Sequence, residues 1–154
     1  MMYLPEDKWS SRYDKQFYTI KMKTYTILDN PPKTTDTFNQ DTCQFLGICG
    51  NAKLPAIFYT IDVFSGTDHH SCLRRYSQFR QLCNKIDPKG KLGIRSKLPP
   101  KTGPFHKDSS YFLEDRLNGL HAFLRELLTR QDAVGNLWVQ QFLELDIFRG
   151  DPNM

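Results

Sequence analysis

The apolar positions of this chain follow two periods. Ala56-Ile57-Phe58-Tyr59-Thr60-Ile61-Asp62-Val63-Phe64 is dense in β-branched and aromatic residues, the pattern of a buried strand. From Tyr76 the spacing changes. Tyr76, Phe79, Leu82, Cys83 and Ile86 recur at steps of three and four, which predicts one apolar face of a helix. Ser77 lies where its N-cap is expected, and Asp87-Pro88-Lys89-Gly90 ends it. A longer helix is predicted from Tyr111. Its stripe is Leu113, Leu117, Leu120, Leu124, Leu127 and Leu128, with Glu114, Asp115, Arg116, Arg125 and Glu126 off that face. Asn136 is placed to cap a last helix carrying Leu137, Phe142, Leu145 and Phe148.

Strands are predicted over Phe45-Leu46-Gly47-Ile48-Cys49, from Pro55 to Phe64, and from His70 to Arg75, separated by Gly50-Asn51 and Gly66-Thr67-Asp68. Short turns make these an antiparallel meander. The fold class expected is therefore α+β: a three-stranded antiparallel β-meander packed against a helical subdomain. An irregular, proline-punctuated connection over 92–107 joins the first two helices. Residues 1–42 read as an N-terminal extension. Tyr18-Thr19-Ile20 and Thr24-Tyr25-Thr26-Ile27-Leu28 have strand-like content and could add a strand before Asn30-Pro31-Pro32 stops it. The main domain is expected over 43–149, with 150–154 as a short tail.

Composition adds bounds. At 154 residues, 39% hydrophobic and 25% charged, the chain suits one soluble domain with its own core. It has no run of 18 apolar residues, so no spanning helix is expected, and residues 1–9 lack a signal's apolar centre. A cytoplasmic location follows as the default. Cys43, Cys49, Cys72 and Cys83 form no C-x-x-C pair, so reduced thiols are expected. His69-His70-Ser71-Cys72 suggests a metal corner. Adjacent strand residues face opposite ways, however, and no second ligand pair stands elsewhere, so no metal and no cofactor are expected.

Charge changes the picture further. The net charge of +4 is concentrated: Arg74, Arg75, Arg80, Lys85, Lys89, Lys91, Arg95, Lys97 and Lys101 face Asp87 alone over 74–101. Such a block calls for an anionic partner, namely phosphate, an anionic membrane or nucleic acid. Nucleic acid would need aromatics interleaved with the cations, and residues 80–101 contain none. Enzyme signatures are missing. There is no G-x-S-x-G, P-loop or H-E-x-x-H, and Gly90-Lys91-Leu92-Gly93 follows a helix rather than a strand. Arg74-Arg75-Tyr76-Ser77-Gln78-Phe79 is the richest stretch, because an arginine at a helix start has backbone donors beside it, a chemistry suited to phosphate. Leu98-Pro99-Pro100-Lys101 projects a lysine from a stiff loop, and Arg116 lies early on the long helix.

The order strand, R-R-Y-S-x-F, L-P-P-K, then E-D-R-x-x-x-L-x-x-F-L resembles the Phox-homology (PX) domain family, over about residues 43–148. That resemblance implies a phosphoinositide-binding module rather than an enzyme, with phosphatidylinositol 3-phosphate as the expected lipid. It implies Arg75 on the 3-phosphate, Tyr76 packed on the inositol ring and Ser77 as an auxiliary phosphate ligand. Lys101 falls to the 1-phosphate and Arg116 to the 4- and 5-hydroxyls. Lys91, Arg95, Lys97 and Lys107 are expected against an anionic leaflet, and Phe105 in a membrane-inserting loop. The chain further resembles the small sorting nexins made of little besides the PX domain. This implies peripheral recruitment to endosomal or vacuolar membranes in protein sorting, with cargo or coat proteins as partners. The alternative is a PX-type protein-interaction adaptor with weak or broad anionic-lipid binding; the intact Arg75, Tyr76, Lys101 and Arg116 argue against it. Nucleic-acid binding through the basic block ranks last.

Overall fold

The computed structural model describes residues 1–28, 56–100 and 110–149. Five strands form one sheet: β1 (Met2–Tyr3), β2 (Phe17–Lys21), β3 (Tyr25–Leu28), β4 (Ala56–Ser65) and β5 (Asp68–Arg75). Three α-helices follow: α1 (Tyr76–Ile86), α2 (Ser110–Thr129) and α3 (Leu137–Leu143), with short 3-10 turns over Arg95–Lys97, Gln131–Ala133 and Leu145–Arg149.

Strand β4 is the hub. β5 pairs along one edge, from Phe58 opposite Arg75 to Ser65 opposite Asp68, after a two-residue turn. Gly66 opens that turn at φ +60, a backbone that glycine adopts without steric cost. The other edge is shared. β2 takes its far end, with Thr19 opposite Phe64 and Lys21 opposite Asp62, and β3 takes its near end, with Tyr25 opposite Tyr59 and Leu28 opposite Ala56. The Thr60 N–H reaches the Thr24 carbonyl between them, at 3.0 Å. Residues 17–28 thus act as one interrupted antiparallel strand, and β1 adds to β2 in parallel.

Of the expected meander, the β4–β5 pair is present as the pattern predicts, and the strands on the other edge of β4 come from near the N-terminus. The strand expected over 45–49 lies outside the described residues, as do Cys43 and Cys49. Residues expected to form an extension are built into the sheet because Tyr18, Ile20 and Met22 bury their side chains there.

Alternation along β4 sends Tyr59, Ile61 and Val63 to one face, all buried. Phe79, Leu82 and Cys83 of α1 and Leu117, Leu120, Leu124, Leu127 and Leu128 of α2 join that face in one core. Phe79 meets Tyr59 and Phe142 edge-on, with centroids 6.5 and 5.1 Å away. α2 shows the predicted stripe, with Phe123 added to it. Asn136 caps α3 as expected, its Oδ1 accepting from the Trp138 and Val139 N–H groups at 2.9 and 3.4 Å.

Candidate functional site

The site grows from the place where β5 becomes α1 without a loop. Arg75, not Ser77, is the N-cap: its backbone is extended at φ −85, ψ 160, and Tyr76 is already helical. The Arg75 N–H donates to Gln78 Oε1 at 2.7 Å, the return half of a capping box. Gln78 is fully buried, so this bond ties the start of α1 to the core. Ser77 becomes the second helical residue, and its Oγ is buried with no hydrogen-bond partner among the described residues. The first-turn N–H groups and the helix dipole give this end a partial positive charge.

The two neighbouring arginines part company because strand side chains alternate. Arg74 shares the core face with Cys72 and is 3% exposed. Its Nε donates to the Phe142 carbonyl at 3.1 Å, and its guanidinium lies over the Phe142 ring at 5.5 Å. Arg74 is thus a fixture between β5 and α3. Arg75 takes the other face, half-buried, 5.8 Å above the ring of Phe58, its cross-strand partner. Burial pulls its pKa below the ordinary guanidinium value.

Tyr76 connects α1 with α2 and the proline loop. Its hydroxyl donates to the Pro99 carbonyl. The Arg116 guanidinium stands over its ring at 4.1 Å and over Phe112, one turn earlier on α2, at 4.7 Å. Arg116 Nη2 also donates to the Pro100 carbonyl at 3.2 Å. Burial raises the phenol pKa of both Tyr76 and Tyr59, with Arg116 acting in the opposite sense on each. Pro99 reaches this position because Gly119 of α2 has no side chain; a Cβ there would meet Pro99 Cγ at 2.7 Å.

The structure therefore gathers Arg75, Tyr76, Ser77 and Arg116 around one end of α1, with Pro99 and Pro100 folded over it. Lys101 follows Pro100 in the chain; it, Phe105 and Lys107 lie outside the described residues. Lys91, Arg95 and Lys97 are not part of this cluster. Arg95 donates to the carbonyls of Asp87 and Pro88 beyond the last turn of α1, about 16 Å from its first residue for 11 residues of helix. Lys97 pairs with Glu126 at 3.6 Å, far along α2 from Arg116. Asp87, 2% exposed, accepts from the Lys91 and Leu92 N–H groups. Sequence reasoning missed Gly119, Phe112, Phe58 and Gln78. Of these, only Gln78 carried a signal, as a glutamine three residues after the N-cap.

The donors here suit an anion with several oxygens: a guanidinium beside a helix start, an orphaned hydroxyl, and a second guanidinium held flat by two rings. The family model for the PX domain matches residues 62–146. Mouse sorting nexin-16 is 41% identical over 73 residues, covering 47% of this chain and 21% of that protein. Sorting nexin MVP1 of Yarrowia lipolytica is 36% identical over 74 residues, covering 46% of this chain and 12% of that protein. The match thus spans about a fifth or less of these relatives' own length. Among solved structures, a designed CISK-PX domain superposes with a TM-score of 0.58 at 19% identity, covering 81% of this chain and 97% of that one. The mouse SNX19 PX domain with bound sulphate ion gives 0.50 at 22% identity, covering 82% and 98%. With more than half of its length matched by the family model and the sheet-and-helix fold of these domains, the chain belongs to the PX domain family.

Proposed function

We propose that this chain is a phosphoinositide-binding module that takes phosphatidylinositol 3-phosphate and recruits its protein to endosomal membranes during protein sorting. The observation that carries this reading is the Arg116 guanidinium held against the Tyr76 and Phe112 rings, where Tyr76 directly follows Arg75 at the start of α1. Family membership and the likeness to sorting nexins support a lipid-binding trafficking module rather than an enzyme.

In this reading Arg75 grips the 3-phosphate as a charge-assisted pair, helped by the first-turn N–H groups. The buried, partnerless Ser77 hydroxyl gains an acceptor, which relieves an unsatisfied group. Tyr76 offers its ring to the inositol. Arg116, whose Nη2 donates to the Pro100 carbonyl, is assigned to the 4- and 5-hydroxyls, since a guanidinium carries five donors. A headgroup phosphorylated there would crowd Arg116, which is the source of selectivity. Lys101 is assigned to the 1-phosphate. Lys91, Arg95, Lys97 and Lys107 are assigned to the leaflet surface at a distance from the headgroup, and Phe105 to insertion. Cargo or coat proteins would be the further partners. Residues 1–28 belong to the same unit in this reading, since β1 to β3 complete the sheet that positions Arg75.

The test is flotation with vesicles that each contain one mono- or bis-phosphorylated phosphoinositide. Recovery on phosphatidylinositol 3-phosphate vesicles alone, lost in both Arg75→Ala and Arg116→Ala, is expected. Recovery that follows total negative charge and survives both substitutions would sink the assignment.

A further inference from the structure

A second group of chemically capable side chains lies on the other face of β5. His70 and Cys72 are two residues apart on the strand, so both point to the core face, where Arg74 also points. Glu144, 72 residues from Cys72 in sequence, follows α3 and meets them. Each of the three offers one ligand atom, and these atoms lie within 4.8 Å of one another. We propose that His70, Cys72 and Glu144 form a site for a zinc-like divalent cation that clamps β5 to the end of α3.

Four observations support this. The ligand set is nitrogen, sulfur and carboxylate oxygen, which favours zinc over calcium or magnesium. Ligands of a tetrahedral zinc stand about 3.3–3.6 Å apart, given Zn–S near 2.3 Å and Zn–N or Zn–O near 2.0–2.1 Å. Closure therefore needs side-chain shifts of about 1 Å. The His70 Nε2 lies 2.8 Å from the Leu143 carbonyl, which can only accept, so Nε2 carries the proton. The lone pair is then on Nδ1, which is buried and has no hydrogen-bond partner among the described residues. A backbone carbonyl holding the second ring nitrogen is the outer support that ligating histidines use. Finally, Cys72 Sγ lies 3.0 Å from Glu144 Oε2 and 3.4 Å from the Leu143 carbonyl, at the end of α3 where the helix dipole favours a cation.

Glu144 is also the one non-glycine residue with positive φ among the described residues, at +53. Glycine would suit that backbone better, but glycine could not ligate. One thiolate and one carboxylate match the charge of a dication, with the buried Arg74 guanidinium next along the same face of β5. Binding releases the thiol proton to solvent. A fourth position stays open for water.

The experiment titrates the full chain, first stripped with chelator, with Co²⁺ and then with Zn²⁺ as competitor. One equivalent of cobalt with a sulfur-to-cobalt charge-transfer band, displaced by zinc, is expected, together with a rise in Tm at saturating Zn²⁺. Cys72→Ser should lose the band and the Tm rise, while Cys83→Ser should keep both. Glu144→Gly guards against simple misfolding. It is expected to melt no lower than the parent without metal, yet to lose the zinc-induced rise. A parent without the band, a band that survives Cys72→Ser, or an undiminished zinc response in Glu144→Gly would each overturn the site.

Discussion

Gly119→Ala puts the arrangement around Tyr76 to a demanding test. The added methyl would sit 2.7 Å from Pro99 Cγ, whereas carbon atoms in contact rest at about 3.5–4.0 Å. Pro99 must therefore retreat by about 1 Å or α2 must tilt. Filling a packed site in this way costs about 1–3 kcal/mol. Alanine in a helix interior returns about 0.5–1 kcal/mol relative to glycine. A net loss of about 0.5–2 kcal/mol follows if the loop holds its place. If it yields, stability is largely kept, but the carbonyls of Pro99 and Pro100 leave Tyr76 and Arg116. In either case the proposed headgroup site is disturbed, and loss of one charge-assisted contact worth about 1.5 kcal/mol lowers affinity about tenfold. Urea denaturation and calorimetry with a short-chain phosphatidylinositol 3-phosphate read the two quantities together. A variant with parental stability and parental affinity would refute the role given to Pro99.

The remaining predictions separate fold from site. Arg74→Met removes the Nε donor to the Phe142 carbonyl and should cost about 1–3 kcal/mol. Arg75→Ala loses only the contact over Phe58, about 0.5–1 kcal/mol, yet should abolish vesicle binding; urea melts of both variants check the contrast. Asn136→Ala removes the acceptor for two N–H groups of α3 and should destabilise by about 1 kcal/mol, read from the same melts. His121 is depressed below 6.5 by burial and by Arg125, so the unfolded chain binds its proton first as pH falls. Its contribution to stability is present above pH 6.5 and is lost on acidification towards its folded value. His121→Gln should flatten that part of the Tm-against-pH curve, and an unchanged slope would reject the assignment.

Periodic features were legible in the chain. The leucine stripe of α2, the β4–β5 hairpin and the asparagine cap of α3 are local patterns whose burial follows from spacing alone. The first turn of α1 was harder, because a serine near a helix start suggests a cap, while the bond to the buried Gln78 places the cap at Arg75, two residues before Ser77. Tyr18 to Leu28 looked strand-like, but strand pairing is non-local: nothing in those residues names β4, which lies about thirty positions on. Spacing alone does not tell Arg74 from Arg75; the resemblance singled out Arg75, and alternation on β5 sends Arg74 inward. His70, Cys72 and Glu144 were invisible as a group for the same reason, since Glu144 arrives from beyond α3. Gly119 matters only through Pro99, a contact that no spacing rule contains.

The shared edge of β4 bears on what can be cut away from this molecule. The family match begins at residue 62, yet β2 and β3 supply the hydrogen-bonding partners for one whole side of a ten-residue strand. A version beginning at residue 43 would leave that row of amide and carbonyl groups open, with Tyr59, Ile61 and Val63 stripped of the neighbours Tyr18, Ile20 and Met22. Long, apolar, unpaired strands template intermolecular pairing. Such a truncation should self-associate, so the first 28 residues guard the protein against its own aggregation.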